Sequence, residues 1–299
     1  MTKLSALSEA VVSIAGGAHV ALSGFATSRC AMAFAHEVIR QGIKELTVSQ
    51  CVLAMDADIL VGAGAVARIV SGGGSRGRFG QHHCINRGIE QGTLVAEEYS
   101  SLSIAFRYLA GSLGLPFIPT RSLRGSDILK RLREVAPSEI GDVDDPFTGE
   151  NWLVLKPLLP DVAVVQVQIA DEDGNAWILG ARWVNEEQVK ASKRAIVITE
   201  QLVPTEVIRR EPERTVIPGF RVSHVVHLPF ATHPSNLYRA YDYDPDHIAE
   251  YAEASKTDEG FQEYLDKYVY GVKDHWDYLE LLGGMKYLAR LAADPVLGY

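Results

Sequence analysis

A chain of 299 residues with 47% apolar and 22% charged side chains holds enough material for one large α/β core or two smaller ones, and its composition excludes a disordered chain. The formal charge of −9, with Lys and Arg scattered along the chain, excludes the basic footprint of a nucleic-acid binder. An anionic small-molecule substrate would depend on local positive charge, which puts weight on Arg29, Arg76, Arg78, Arg121 and Arg124. Cys30, Cys51 and Cys84 have neither metal-type nor redox-type spacing and read as reduced thiols. The N-terminus lacks the continuous apolar core of a signal peptide, and no run approaches the ~18–20 apolar residues of a membrane span. A cytoplasmic protein with no membrane or nucleic-acid partner is expected.

In chain order, Leu7, Ala10, Val11 and Ile14 have helical spacing, and Gly16-Gly17 ends that helix. Residues 19–23 read as a strand stopping at Gly24-Phe25, and a helix over residues 31–41 completes a β-α unit. The loop between them lies at a strand's C-terminal end, where open α/β sheets place their ligands. A second unit begins at residues 46–49. Ile59-Leu60-Val61 followed by Gly62 and Gly64 predicts a further turn, and residues 67–70 a strand.

That strand breaks into S-G-G-G-S-R-G-R-F-G at residues 71–80. Glycines let the backbone reach positive φ and approach a bound group closely, while Ser75, Arg76 and Arg78 offer a hydroxyl and guanidinium forks suited to a carboxylate or phosphate. Arg76 is expected to be solvated without ligand. A helix over residues 87–91 and a strand over residues 93–96 then lead into two adjacent acids, Glu97 and Glu98, and Tyr99. Loop and acids together fit a site for an acyl or carboxylate substrate; a mobile surface loop followed by a solvated helix cap fits the same residues. His82, His83 and Cys84 are consecutive, so their side chains diverge, and no later pair completes a familiar ligand spacing; no metal site is expected.

Residues 100–113 form a helix with Leu102, Ala105, Phe106, Leu109 and Leu113 on one side, followed by an extended edge over residues 115–119 and a polar loop carrying Arg121, Arg124 and Ser126. No pattern persists over residues 126–151, although D-D-P-F-T-G-E-N at its end has the composition of a hairpin. Residues 162–169 are a β-branched strand, and D-E-D-G-N at 171–175 reads as a strand turn, since the acids of a calcium loop are missing. A helix over 186–192 and strands over 195–199 and 222–228 follow. His233 is either a site residue or a turn histidine bonded to backbone. Residues 245–288 are helical, with aromatic residues that pack on the domain or on a neighbouring subunit. No repeat, linker, Walker loop, dinucleotide fingerprint or serine-nucleophile elbow is present. The reading is one α/β domain over residues 1–240 and a helical extension over 241–299.

Several segments occur in an order that resembles the α (A) subunits of family I CoA-transferases, most of all the glutaconate CoA-transferase type. They are A-L-S-G-F at 21–25, G-x-L-x-x-E-x-Y-S at 92–100, L-G-L-P-F-I-P at 113–119, D-P-F at 145–147, P-D-V-A at 160–163 and D-G-N at 173–175. R-R-E-P at 209–212, I-P-G at 217–219, H-P-S at 233–235 and Y-D-Y-D at 241–244 complete the set. The resemblance implies an open, mostly parallel α/β sheet with helices on both faces (CoA-transferase or NagB/RpiA-like), with a helical C-terminal extension. It implies coenzyme A as a substrate with no bound cofactor, and a β (B) subunit partner in an α2β2 or larger assembly.

In that family the nucleophilic glutamate, which carries acyl and then CoA as a glutamyl thioester, belongs to the β subunit. Its S-E-N-G context is missing here; Glu150-Asn151 is the nearest string and follows a turn. The chain would then be half an active site. Backbone N–H groups of Gly24 and Phe25 would meet the oxyanion, and Ser23, Arg29, Ser75, Arg76, Arg78, Arg124 and Ser126 would bind substrate. The family's usual glycine pair before the phenylalanine is Ser23-Gly24 here.

Glu97 and Glu98 are the catalytic candidates. Counting back from L-P-F, Glu97 stands where a transferase-type glutamate would, and Glu98 is nearer the spacing of a related hydrolase that opens a steroid ring with an α-subunit glutamate. A further relative with this fold decarboxylates a glutaconyl-type CoA ester. Three functions stay open: a CoA-transferase α chain serving a small dicarboxylic or oxo acid; the α chain of a hydrolase or lyase that opens a ring or cleaves a C–C bond of an acyl-CoA with Glu98 as base; and a non-catalytic scaffold subunit.

Overall fold

The computed structural model describes residues 2–294 and 296–298. In chain order, α1 (Leu7–Val12), β1 (His19–Leu22), α2 (Met32–Arg40), β2 (Leu46–Gln50), α3 (Met55–Gly62), β3 (Val66–Ser71), α4 (His83–Glu90), β4 (Val95–Glu98) and α5 (Ser101–Leu113) form the first half. There follow β5 (Ile118–Thr120), α6 (Asp127–Val135), β6 (Ile140–Asp144), β7 (Asn151–Leu155), β8 (Val162–Ala170), β9 (Ala176–Trp177), α7 (Asn185–Ala191), β10 (Arg194–Leu202), α8 (Thr205–Arg210) and β11 (Val222–His227). Helices α9 (Pro245–Ala254), α10 (Asp258–Leu265), α11 (His275–Leu281) and α12 (Gly284–Leu288) close the chain.

The main sheet has the order β11-β10-β8-β1-β2-β3-β4, all parallel, with β9 antiparallel to β8. Parallel strands need covering on both faces, and the strand pattern supplies it. Val162, Val164, Ile196 and Ile198 join an apolar cluster with α1 to α4, whereas Ala163, Val165, Ala195 and Val197 join a second cluster on the other face with α5 and α7. The C-terminal helices belong to the first cluster, to which they bring Tyr251, Phe261, Tyr264, Tyr268 and Tyr278. A separate antiparallel sheet, β5-β7-β6, contains the hairpin that the composition of residues 144–151 indicates.

Three elements depart from expectation. The turn predicted near residues 59–64 is the helix α3; Met55 to Val61 are all buried, so burial leaves no amphipathic period to read. Helix α4 starts at His83 instead of Arg87. Residues 127–135, read as patternless, form α6, capped by the Ser126 hydroxyl, which accepts from the Leu129 N–H.

Candidate active site

Because β1 to β4 are parallel, their C-terminal ends gather on one rim, where the chain places Ser23, Cys51, the glycine loop and Glu98. Side chains alternate along a strand, so Glu97 and Glu98 face opposite sides of the sheet. Glu97 is buried, bonded to Arg68 at 2.5 Å and to the Tyr99 hydroxyl at 3.1 Å, with Arg107 3.9 Å away. Glu98 is exposed and has no ion pair or side-chain hydrogen bond among the described residues. It stands beside Gly73, which has φ +76° and where an added Cβ would lie 3.3 Å from Glu98 Oε1. Below it opens a cleft of about 130 Å³ whose walls include Leu53, Gly74, Ile85, Asn86 and Ile89. Its lining has no Lys or Arg. His82 also lines it, buried, with Nε2 3.2 Å from the Leu53 carbonyl oxygen; burial lowers its pKa, so the ring stays neutral with its proton on Nε2.

The glycine loop is built differently from the ligand cradle expected. An added Cβ on Gly72 would lie 2.7 Å from the Cys51 carbonyl oxygen and the Ser101 Cα, and one on Gly74 2.7 Å from the Leu53 carbonyl oxygen. These glycines let the loop pack on neighbouring backbone. Arg76 is buried, against the expectation of a solvated side chain: it donates to Asp58 at 3.1 Å, to the Ser255 hydroxyl at 3.3 Å and to the Gln81 carbonyl oxygen, and lies 5.2 Å over the Tyr251 ring. Asp58 also accepts from the Tyr251 hydroxyl at 2.8 Å and the Ile85 N–H at 2.9 Å. A carboxylate buried on α3 requires such a partner. Ser75 Oγ accepts from the Gly77 N–H at 3.2 Å. Arg78 remains exposed, over Phe79 at 4.9 Å and Tyr243 at 5.5 Å, with no carboxylate partner among the described residues.

At the end of β1 the turn closes on itself. Phe25 donates its N–H to the Ser28 carbonyl at 2.9 Å and stacks on Trp183 at 5.3 Å, so its amide is not free for an oxyanion. Ser23 Oγ donates to the Arg29 carbonyl at 3.1 Å. Gly24 has φ +102°, and a Cβ there would lie 2.9 Å from the same carbonyl oxygen. The Arg29 side chain is buried and donates to the Gln166 and Leu179 carbonyl oxygens, each at 3.1 Å, and burial pulls its pKa down to about 10. It is held by backbone carbonyls and by Gln168 Oε1 at 3.2 Å. Strands β2 and β3 separate this turn from Glu98 by about 14 Å.

Arg124 donates to Asn151 Oδ1 at 2.9 Å and Ser126 caps α6, so both belong to the small sheet and its flank. His233 is buried, its ring between Asp244 at 3.0 Å and the Tyr278 hydroxyl at 2.7 Å, so the ring bonds side chains and only its N–H bonds backbone, the Phe230 carbonyl at 3.0 Å. The sequence reading missed the cleft wall on α4, although Ile85 and Ile89 have the four-residue helical spacing that signals it. No group of three or more His, Cys, Asp or Glu among the described residues is placed to hold a metal. No helix among them is long and apolar enough to cross a membrane.

Fold and site together define an α/β protein with an exposed carboxylate over a cleft of mixed polar and apolar lining, at the C-terminal rim of a parallel sheet. The chain belongs to the coenzyme A transferase family, which it matches over residues 4–228. It is 34% identical over 312 residues to the glutaconate CoA-transferase α (A) chain of Acidaminococcus fermentans, spanning 100% of this chain and 97% of the relative. The crystal structure of glutaconate coenzyme A-transferase from that organism superimposes with a TM-score of 0.95 at 33% identity, covering 100% of this chain and 98% of that one.

The 3-oxoadipate CoA-transferase α (A) chain of Pseudomonas knackmussii is 33% identical over 282 residues, 93% of this chain and 97% of the relative. An uncharacterized protein of Archaeoglobus fulgidus is 41% identical over 280 residues, 93% of this chain; the aligned part spans 61% of that longer protein. More distantly, a cholesterol ring-cleaving hydrolase IpdA subunit of Mycobacterium tuberculosis is 25% identical over 280 residues, 91% of this chain and 94% of the relative. The chain is therefore a homologue of the α subunits of heteromeric CoA-transferases.

Proposed function

We propose that this chain is the α subunit of a CoA-transferase that moves CoA between an acyl-CoA and a small dicarboxylic or oxo acid, working with a β subunit in an α2β2 or larger cytoplasmic assembly. The observation that carries the reading is likeness along the whole chain to a glutaconate CoA-transferase α chain, C-terminal helices included. A carboxylate of the β subunit first attacks the thioester carbonyl and expels CoA as thiolate; the thiolate then attacks the mixed anhydride, leaving a glutamyl thioester and a free acid. The acceptor acid reverses these steps. In this reading Glu98 is the α subunit's contribution beside the reacting centre, the cleft beneath it takes apolar parts of the substrate, and exposed Arg78 is the cation open to an anionic group. Arg29 and Arg76 act by holding the rim in shape.

A second reading is favoured by one observation: Glu98 is a free, solvent-facing carboxylate and can itself activate water. The chain would then serve a hydrolase or lyase that opens or cleaves an acyl-CoA. Co-expression with a cognate β subunit, followed by assay of CoA exchange between acetyl-CoA or glutaryl-CoA and a panel of dicarboxylic acids, separates the two. Ping-pong exchange, with inactivation by borohydride or hydroxylamine in the presence of acyl-CoA, supports transfer. Consumption of acyl-CoA without an acceptor acid, abolished by Glu98→Gln, supports the second reading. Exchange that ignores Glu98→Gln leaves this chain a scaffold.

A further inference from the structure

The small sheet carries one side chain that nothing else among the described residues answers. Strands β6 and β7 are joined by D-P-F-T-G-E at residues 145–150, and the turn is internally fixed. Asp145 Oδ1 accepts from the Phe147 N–H at 2.8 Å, the Asp145 N–H donates to the Glu150 carbonyl at 2.8 Å, and the Gly149 N–H to the Asp145 carbonyl at 2.8 Å. The neighbouring carboxylates are also used: Glu150 by Arg121 at 2.8 Å, Asp144 by the Asn151 amide at 2.9 Å and Asp142 by Arg133 at 2.9 Å. Phe147, by contrast, is 94% exposed, the highest value of any large apolar side chain among the described residues. A ring held out on a fixed backbone loses little further conformational freedom on binding, which is how aromatic anchors of interfaces are presented.

Its place relative to the cleft follows from strand register. Thr120 pairs with Leu153 and Asp144 with Asn151, so residues 145–150 lie past the end of β5. Ser122, just beyond β5, has its Oγ 2.6 Å from that of Ser100, which follows the Glu98 strand directly. The turn therefore stands about 5–10 Å beyond the strand ends, near the rim that carries Glu98 but on the α5 face of the main sheet, since Leu153 and Leu155 join the cluster of α5 while Ile69 and Ile85 of the cleft join that of α4. That cleft lies beside β4, an edge strand to which no further strand is paired among the described residues.

We propose that residues 145–150 form a docking finger for the β subunit, and that Phe147 fills an apolar pocket on that subunit next to the shared active site. The proposal rests on the heteromeric reading above. The carboxylates around the finger are already paired, so what it offers is an aromatic ring, and it projects at the rim of the sheet that carries Glu98, where a second subunit that completes the site has to approach.

The test is Phe147→Ser in the full-length chain. Because the ring touches little, the isolated variant should melt within about 1 °C of the parent. Its Kd for the cognate β subunit should rise about tenfold or more, and activity at low protein concentration should fall and recover when the β subunit is supplied in excess. An unchanged Kd overturns the finger and leaves the transferase reading standing. A variant that alters only self-association of the isolated chain overturns it in favour of a second copy as occupant. A parent chain that fails to bind any β subunit overturns both readings.

Discussion

Glu97 and Glu98 are adjacent in sequence and opposite in environment, and the difference decides what each substitution should do. Glu98→Gln keeps size and removes charge at an exposed position, so turnover should fall at least about a hundredfold with an unchanged melting temperature, read by steady-state kinetics and calorimetry. Arg76→Ala belongs to another class. It leaves Asp58 buried without its cation, and the expected loss is about 3–5 kcal/mol in urea unfolding of the isolated chain. A change confined to the Michaelis constant would return Arg76 to the substrate. The candidate acids were legible in the sequence because they stand as an adjacent pair shortly after the glycine loop. The partners of the arginines were not, because Asp58 and Tyr251 lie far from Arg76 along the chain and only the fold brings them together.

Elements show the same divide. The strands of the parallel sheet announce themselves as β-branched runs, and α5 by its helical spacing and the Gly114 cap at φ +69°, although the side it buries is that of Ile104, Tyr108 and Ala110, while Leu102 and Leu113 of the side read as apolar are exposed. Helix α3 is hidden because it is buried all round, and α6 because only Leu132 on it is buried among charged residues. The three glycines at 72–74 were legible as a special loop, but their reason was not. Close backbone packing, which sequence does not display, explains Gly72 and Gly74. Gly72→Ala should accordingly destabilise the chain by about 1–3 kcal/mol, measured by urea unfolding, whether or not substrate is present.

At the scale of the molecule, burial sets how stability responds to pH. It lowers the pKa of His247 to about 3 and of His19 and His275 to about 4, whereas unfolded histidine titrates near 6.5. Between those values the unfolded chain binds protons that the fold refuses, so these rings make stability fall as pH drops from 6.5 toward 4. Burial raises Glu200 to about 7 and Asp56 to about 6, which works the other way: their contribution is present at low pH and is lost as pH rises toward 7. Glu200→Gln removes part of that opposition, and its carbonyl can still accept the Phe230 N–H that Glu200 accepts at 3.0 Å. The variant should therefore lose stability more steeply than the parent on acidification from pH 7 to 4.5, in urea titrations across that range.

The joint formed by Arg76, Asp58 and Tyr251 carries one more implication. The family pattern matches residues 4–228, yet the phenol that completes the joint is on α9, and the hydroxyl that holds His233 is on α11. The segment that the family pattern covers is thus no detachable module. Its rim is fastened from outside by helices that the family pattern does not include, so drift in the tail of this chain is bounded by the shape of a cleft it never touches.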